Sequence, residues 1–454
     1  MIKRIKLFVA SFLKGHERTV RLKLNIIGSF LIKFFGLVVS YLLVPICLNY
    51  LDKSRYGIWL TITSFLTWFS FFEIGMGAGL QNKLSEAFSL KKYKLARIYV
   101  STTYLLLTLI IFVVALIFFA TQPLMNWSKI LNAPPEMAEE LKNVAMLVFG
   151  FFFLQFILRL INTILNADQK SALANFNGPF SSFVALIFIY ILTKVAPPSL
   201  LLLAGAFCIS QIIVLLIANG YYFKKLYWNI RPSFFFYRKK YVKKLIGLGV
   251  NFFLIQMSAL VIFQTTNILI AQYFGPTEVT QYNIAYKLFS TIFIIFQIVT
   301  LPLWPAFTEA WVKNDVDWIR ATVRRIYKLW IKLTFLTVFL LVFSGIIYKL
   351  WVGNKVIIPF ELSLSIALYF LLFSFGSIYN MFINGISKLR VQALSLLIGA
   401  ILFIPLTILF VRVFKTGVVG LILSMIISNF YSYTIAPIQY FKLIKGTAKG
   451  IWTK

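Results

Sequence analysis

Apolar runs of about twenty residues alternate along the chain with short polar and basic stretches, and each run is long enough to cross a bilayer as one helix. The pattern predicts twelve such spans. They are residues 25–50, 56–80, 98–121, 141–165, 175–192 and 200–222 in the first half. The second half adds 246–273, 282–307, 329–350, 361–383, 391–414 and 418–440. The expected fold class is an all-α integral membrane protein.

Polar residues inside these runs recur at helical spacing. Span one places Asn25, Ser29, Lys33, Gly36 and Ser40 on one face, and span two does the same with Thr63, Thr67, Ser70, Glu73, Gly77 and Gln81. Span four gives Gln155, Arg159, Asn162 and Asn166, and span seven gives Gly249, Gln256, Gln264 and Asn267. Span eight gives Asn283, Lys287, Ser290 and Gln297. Polar faces inside a bilayer must meet one another or a water-filled space. Five of them together predict a hydrated lumen.

The charges on those faces are the candidate chemistry. Lys33, Arg159 and Lys287 lie ~8–12 Å along the helix from a polar end, within reach of snorkelling as the competing reading. Glu73 is ~15 Å from Lys83, too deep for that, so a functional carboxylate competes with a buried ion pair. Gly75 and Gly79 follow as a small-xxx-small pair, suited to close helix packing.

Composition narrows the class further. Sixty per cent hydrophobic residues, 48 phenylalanines and a mean hydropathy of +0.87 exclude a soluble domain. The net charge of +32 is distributed by topology. With the N-terminus inside, 32 Lys and Arg residues fall in inner segments, nine in outer ones and four within spans. This is the positive-inside asymmetry, with both termini cytoplasmic, and it needs membrane lipids but no nucleic acid as partner. Cys47 and Cys208 both sit in apolar spans and His16 is the only histidine, so no disulfide framework, metal site or cofactor is expected. Residues 1–24 read as a basic amphipathic segment on the inner surface rather than a cleaved signal.

The chain also repeats itself. Ser85-Glu86-Ala87-Phe88 returns as Thr308-Glu309-Ala310-Trp311, offset by 223. Asn162, Leu165-Asn166-Ala167 and Lys170 return as Asn380, Ile383-Asn384-Gly385 and Lys388, offset by 218. Six spans separate the copies, so two parallel six-helix lobes are expected, 25–222 and 246–454. The basic stretch 223–245 links them on the inner side.

The run Tyr56-Gly57, Glu73-Ile74-Gly75-Met76-Gly77, Leu80-Gln81-Asn82-Lys83, Glu86-Ala87 and Ala96-Arg97 resembles the second and third helices of Wzx-type polysaccharide flippases of the MOP superfamily. The resemblance extends over nearly the whole chain; in that family the acidic position is often Asp, and Glu73 keeps the charge. It implies two lobes around a central cavity that opens alternately to each side. The cargo it implies is an undecaprenyl-pyrophosphate-linked oligosaccharide, carried across the bacterial cytoplasmic membrane by a monomer beside the polysaccharide polymerase machinery.

On this reading Lys33, Arg159 and Lys287 attract the pyrophosphate, Asn162 and Gln256 hold sugar, and Glu73 couples transport to an ion. Two alternatives stand against it. A cation-coupled drug exporter of the MATE type calls for a more acidic cavity. A membrane-bound polymerase or ligase calls for a large outer loop with catalytic residues, and the longest outer loop, 122–140, is short. The protein is therefore expected to be a transporter and not an enzyme.

Overall fold

The computed structural model describes residues 17–68, 76–242, 250–300 and 303–453. Helices α1 to α9 are Glu17–Tyr50, Lys53–Trp68, Met76–Ser89, Tyr93–Thr121, Trp127–Leu131, Ala138–Leu158, Leu160–Ala167, Ser171–Val195 and Leu200–Lys225. Helices α10 to α18 are Val250–Phe274, Pro276–Thr300, Leu303–Val312, Val316–Val342, Ser344–Val352, Phe360–Gly385, Arg390–Ile408, Gly417–Ser428 and Ala436–Ile444. Strands are absent among the described residues.

Nine helical segments among the described residues are long and apolar enough to cross a membrane, and two bent pairs bring the number to eleven. The protein is a multi-pass, all-α membrane protein. The remaining expected span, 56–80, contains residues 69–75 and with them Glu73, which lie outside the described residues.

Local chemistry explains where elements begin and break. Span eight starts at Pro276, six residues before the expected Tyr282, because Gly275 turns the chain at φ +107° and proline suits the first helical position. Asp315 caps α13 by accepting from the Trp318 N–H at 3.0 Å, so that helix begins well before residue 329. Its early turns carry Asp317, Arg320, Arg324, Arg325 and Lys328, a water-facing start, and a 68° bend after Val342 leads into α14.

The repeat read from the sequence carries matching backbone geometry. Ser85 Oγ donates to the Ala167 carbonyl at 2.9 Å, and Thr308 Oγ1 donates to the Gly385 carbonyl at 2.6 Å. Lys91 and Asn314, offset by 223, are both left-handed at φ 54° and 55°; Gln169 and Ser387, offset by 218, are both at φ 58°. In each copy the hydroxyl ties the C-terminal ends of two helices together, and each end is followed by a left-handed turn.

Two compact units emerge. One comprises residues 1–50, 72–124 and 142–248; the other comprises 51–71, 125–141 and 249–454. The first is held by α1 along α8, where Gly36 lets the helices close: a Cβ there would lie 2.9 Å from Pro179 Cγ. An aromatic stack of Phe118 on Phe149, ring centroids 4.2 Å apart, fills its interior.

In the second unit α2 packs along α10 and α11. Gly57 makes this possible, since a Cβ at that position would stand 1.7 Å from the Pro276 carbonyl oxygen. Thr280 Oγ1 donates to the Lys53 carbonyl at 2.6 Å, and Asn132 Nδ2 donates to the Ala271 carbonyl at 3.0 Å. Residues 51–68 and 125–141 are thereby fastened to helices of the C-terminal half.

Candidate functional site

The first unit contains a cavity of about 480 Å³ walled by α6, α7, α8 and α9. Its lining is Gln155, Arg159, Asn162, Asn166, Ala174, Asn175, Asn177, Gly178, Ser181, Gln211 and Leu215. Six carboxamides, one hydroxyl and one guanidinium face this space, and among the described residues no acid or aromatic ring lines it. Arg159 thus has no acid beside it among the described lining residues.

A helix break places that arginine. The Asn162 N–H bonds to the Arg159 carbonyl at 2.9 Å, where a regular helix would send it to Leu158. Asn219 Nδ2 on α9 takes up the Leu158 carbonyl instead, at 3.0 Å, while also bonding its own Leu215 carbonyl at 2.8 Å. Tyr104 OH in turn donates to Asn219 Oδ1 at 3.4 Å. The break between α6 and α7 is therefore satisfied by side chains, as a membrane interior demands.

On the opposite wall Asn177 is buried and donates to Asn162 Oδ1 at 2.6 Å. This bond fixes the orientation of both amides, leaving Asn162 Nδ2 as a donor. Ser181 Oγ donates to the Asn177 carbonyl at 2.7 Å, one turn back along α8. The lining thus offers both donors and acceptors, held by packed helices, beside one positive charge.

The whole polar face expected on span four, Gln155 to Asn166, lines this cavity. Arg159 and Asn162 are brought together there. Lys33 also belongs to the first unit, but it is exposed on α1 between exposed Phe30 and Phe34, and it does not line the cavity. Lys287 and Gln256 belong to the second unit, the former half-buried on α11 and the latter exposed on α10. Glu73 falls outside the described residues.

Sequence reasoning missed Asn175, Asn177, Ser181 and Gln211. The signal was available, because each is a polar residue within or at the edge of an apolar span. In the second unit the expected faces of spans seven and eight do meet, through a chain of amides. Asn283 Nδ2 donates to Asn267 Oδ1 at 2.8 Å, and Asn267 Nδ2 donates to Ser64 Oγ at 2.8 Å.

A family model described as polysaccharide biosynthesis protein matches residues 22–311, well over half of the chain. The chain belongs to that family. A protein of Salmonella typhi that carries the name of an O-antigen transporter is 24% identical over 306 residues, 65% of this chain and 68% of its own. One of Yersinia pseudotuberculosis, named for O-antigen export, is 24% identical over 420 residues, 88% of this chain and 90% of its own.

Among solved structures, the inward-facing conformation of a multidrug resistance MATE family transporter of the MOP superfamily matches with a TM-score of 0.77. It does so at 13% identity over 90% of this chain and 95% of that one, so the fold is shared. This member of the polysaccharide biosynthesis family therefore has a transporter fold with an amide-lined cavity in its first unit.

Proposed function

We propose that the protein is a flippase. It turns a polysaccharide repeat unit, linked to undecaprenyl pyrophosphate, across the cytoplasmic membrane by alternating access of lobes 25–222 and 246–454. The observation that carries this reading is the cavity around Arg159. Its carboxamides match the hydroxyls and amides of a glycan, and its one uncompensated cation matches a phosphate or acidic sugar. A cationic drug would meet Arg159 with no acid among the lining residues to offset it.

The names of the relatives support an O-antigen or similar repeat unit as cargo. Lys33 and Lys287 serve in the same proposal as further cations on the path, Gln256 as a sugar contact, and Glu73 as the ion-coupling group. The positive-inside asymmetry supports cytoplasmic termini, and one chain suffices as the working unit beside the polysaccharide polymerase machinery.

The test uses a strain whose surface polysaccharide depends on this protein. Arg159→Ala is expected to abolish surface polysaccharide at unchanged protein level, and Arg159→Lys to retain part of it. Normal export by the alanine variant would refute the role of the cavity.

A further inference from the structure

Residues 226–242, which follow α9, are a folded piece, not a slack tether. Its backbone is fixed to α4: the Ser233 N–H donates to Ser101 Oγ at 3.1 Å, and the Arg238 N–H donates to Thr102 Oγ1 at 3.3 Å. Arg97 Nε donates to the Arg231 carbonyl at 3.2 Å, and its guanidinium lies 4.1 Å from the Phe236 ring centroid. Tyr241 packs edge-on against Tyr99, centroids 5.2 Å apart, and Ile230 is buried. Tyr227 is buried too and donates to Asp168 Oδ2 at 2.8 Å. Burial and that bond push its phenol above the usual range, so it stays a neutral donor.

On this fixed frame Phe234 and Phe235 point away from the protein, 81% and 87% exposed. Trp228 is exposed beside them, with the Arg231 guanidinium 3.9 Å from its ring centroid. The same segment carries Lys224, Lys225, Arg231, Arg238, Lys239 and Lys240, all exposed, and residues 223–242 include no acid. Most other exposed rings sit on the long apolar helices. These two lie on irregular backbone among cations, which cannot enter the hydrocarbon core. A surface with aromatic tips, a basic surround and a membrane span at its edge matches the headgroup layer.

We propose that residues 226–241 form an interfacial anchor for an anionic lipid leaflet, with Phe234 and Phe235 inserted at headgroup depth and the surrounding cations on lipid phosphates. The anchor couples the joint between the two halves of the chain to the composition of the leaflet.

The test uses the full chain in nanodiscs of phosphatidylcholine, with or without phosphatidylglycerol. Cys47 and Cys208 are replaced by alanine, and a nitroxide is placed at Phe235→Cys, an exposed position whose loss leaves the frame intact. Paramagnetic relaxation by oxygen and by a water-soluble nickel chelate then reports depth. The label is expected to be shielded from nickel relative to one at Lys94→Cys, and more strongly so when phosphatidylglycerol is present.

A second measurement counts phosphatidylglycerol molecules retained by the wild-type protein and by an Arg238→Gln, Lys239→Gln, Lys240→Gln variant. The segment's affinity for phosphatidylglycerol is expected to fall about fivefold for each cation removed, read as fewer molecules retained by the triple variant. Nickel accessibility at Phe235 equal to that at Lys94 in both lipids would overturn the proposal. So would unchanged lipid retention by the triple variant. Shielding that appears only when a soluble cell extract is added would assign the surface to a protein partner and likewise overturn it.

Discussion

Gly57→Ala is the sharpest perturbation the structure offers. The added methyl would sit 1.7 Å from the Pro276 carbonyl oxygen and 2.5 Å from its carbonyl carbon. Both obstacles are backbone, so no side chain can swing away. Restoring even a 3.0 Å approach moves α2 from α11 by about 1.3 Å. A gap of that size forfeits a large part of the dispersion attraction along the interface and strains the Thr280–Lys53 and Asn267–Ser64 hydrogen bonds.

Overpacking of this kind costs ~3 kcal/mol, the upper part of the usual range, because the clash is with rigid backbone. The packed arrangement of α2 on α11 would be disfavoured by a factor of about 100 relative to the separated one. The assay is cross-linking of Ser64→Cys to Asn267→Cys with a short bifunctional maleimide, together with surface polysaccharide in cells. Gly205→Ala is the control, since a Cβ at Gly205 meets nothing within 4 Å. Cross-linking and export should both collapse in Gly57→Ala and persist in Gly205→Ala. Equal cross-linking yields in the two variants would refute the reasoning.

Asn219→Ala should cost about 1–3 kcal/mol by leaving the Leu158 carbonyl unpaired, and should lower thermal stability in nanodiscs. It should also impair export as Arg159 loses its fixed position, whereas Asn219→Gln is expected to restore part of both. Cysteines introduced at Lys239 and Lys445 should react with an impermeant maleimide only when the inner face is accessible; labelling in intact cells would reverse the orientation. Glu73→Gln in vesicles loaded with a lipid-linked sugar should remove the response of the flipping rate to an imposed proton or Na⁺ gradient; an unchanged response would dismiss the coupling role.

What could be read without coordinates was governed by periodicity. The face of span four was legible because four polar residues recur every three or four positions against an apolar background. The walls of spans five and six were not. Asn175 and Asn177 stand where span five was expected to begin and pass for interface residues, while Gln211 has only Ser210 and Asn219 as polar company within the apolar part of its helix. Gly36 was read as part of a polar stripe, but its role is contact: it makes room for Pro179. Partnership of that kind depends on the tertiary approach of two helices, and no period in one helix encodes it. The pairing of Gly57 with Pro276 was hidden for the same reason. The break at Arg159 was unforeseeable from propensity, since it is held by Asn219, sixty residues along the chain.

The repeat shows what stands in the second copy at the positions that line the first unit's cavity. At the offset of 218, Gln155 and Arg159 answer to Phe373 and Ser377, and Ser181 answers to Gly399. Phe373 is locked in an aromatic cluster, with ring centroids 4.9 Å from Phe293 and 5.7 Å from Tyr369. Gly399 lets α16 meet α17 backbone to backbone, since a Cβ there would stand 2.0 Å from the Ser428 carbonyl oxygen. Gly376 brings α15 equally close to Ser432, at 2.2 Å. The second copy has thus replaced a guanidinium and an amide by a hydroxyl and a ring, and has closed its helices over glycines. The turns and the Ser85 and Thr308 hydrogen bonds recur in both copies, as do Asn162 and Asn166 in the form of Asn380 and Asn384, whereas Gln155, Arg159 and Ser181 of the lining do not. The turns recur in both copies, while the residues at the cavity positions differ. The first copy keeps an amide-lined cavity around Arg159, and the second packs an aromatic cluster at the position of Gln155.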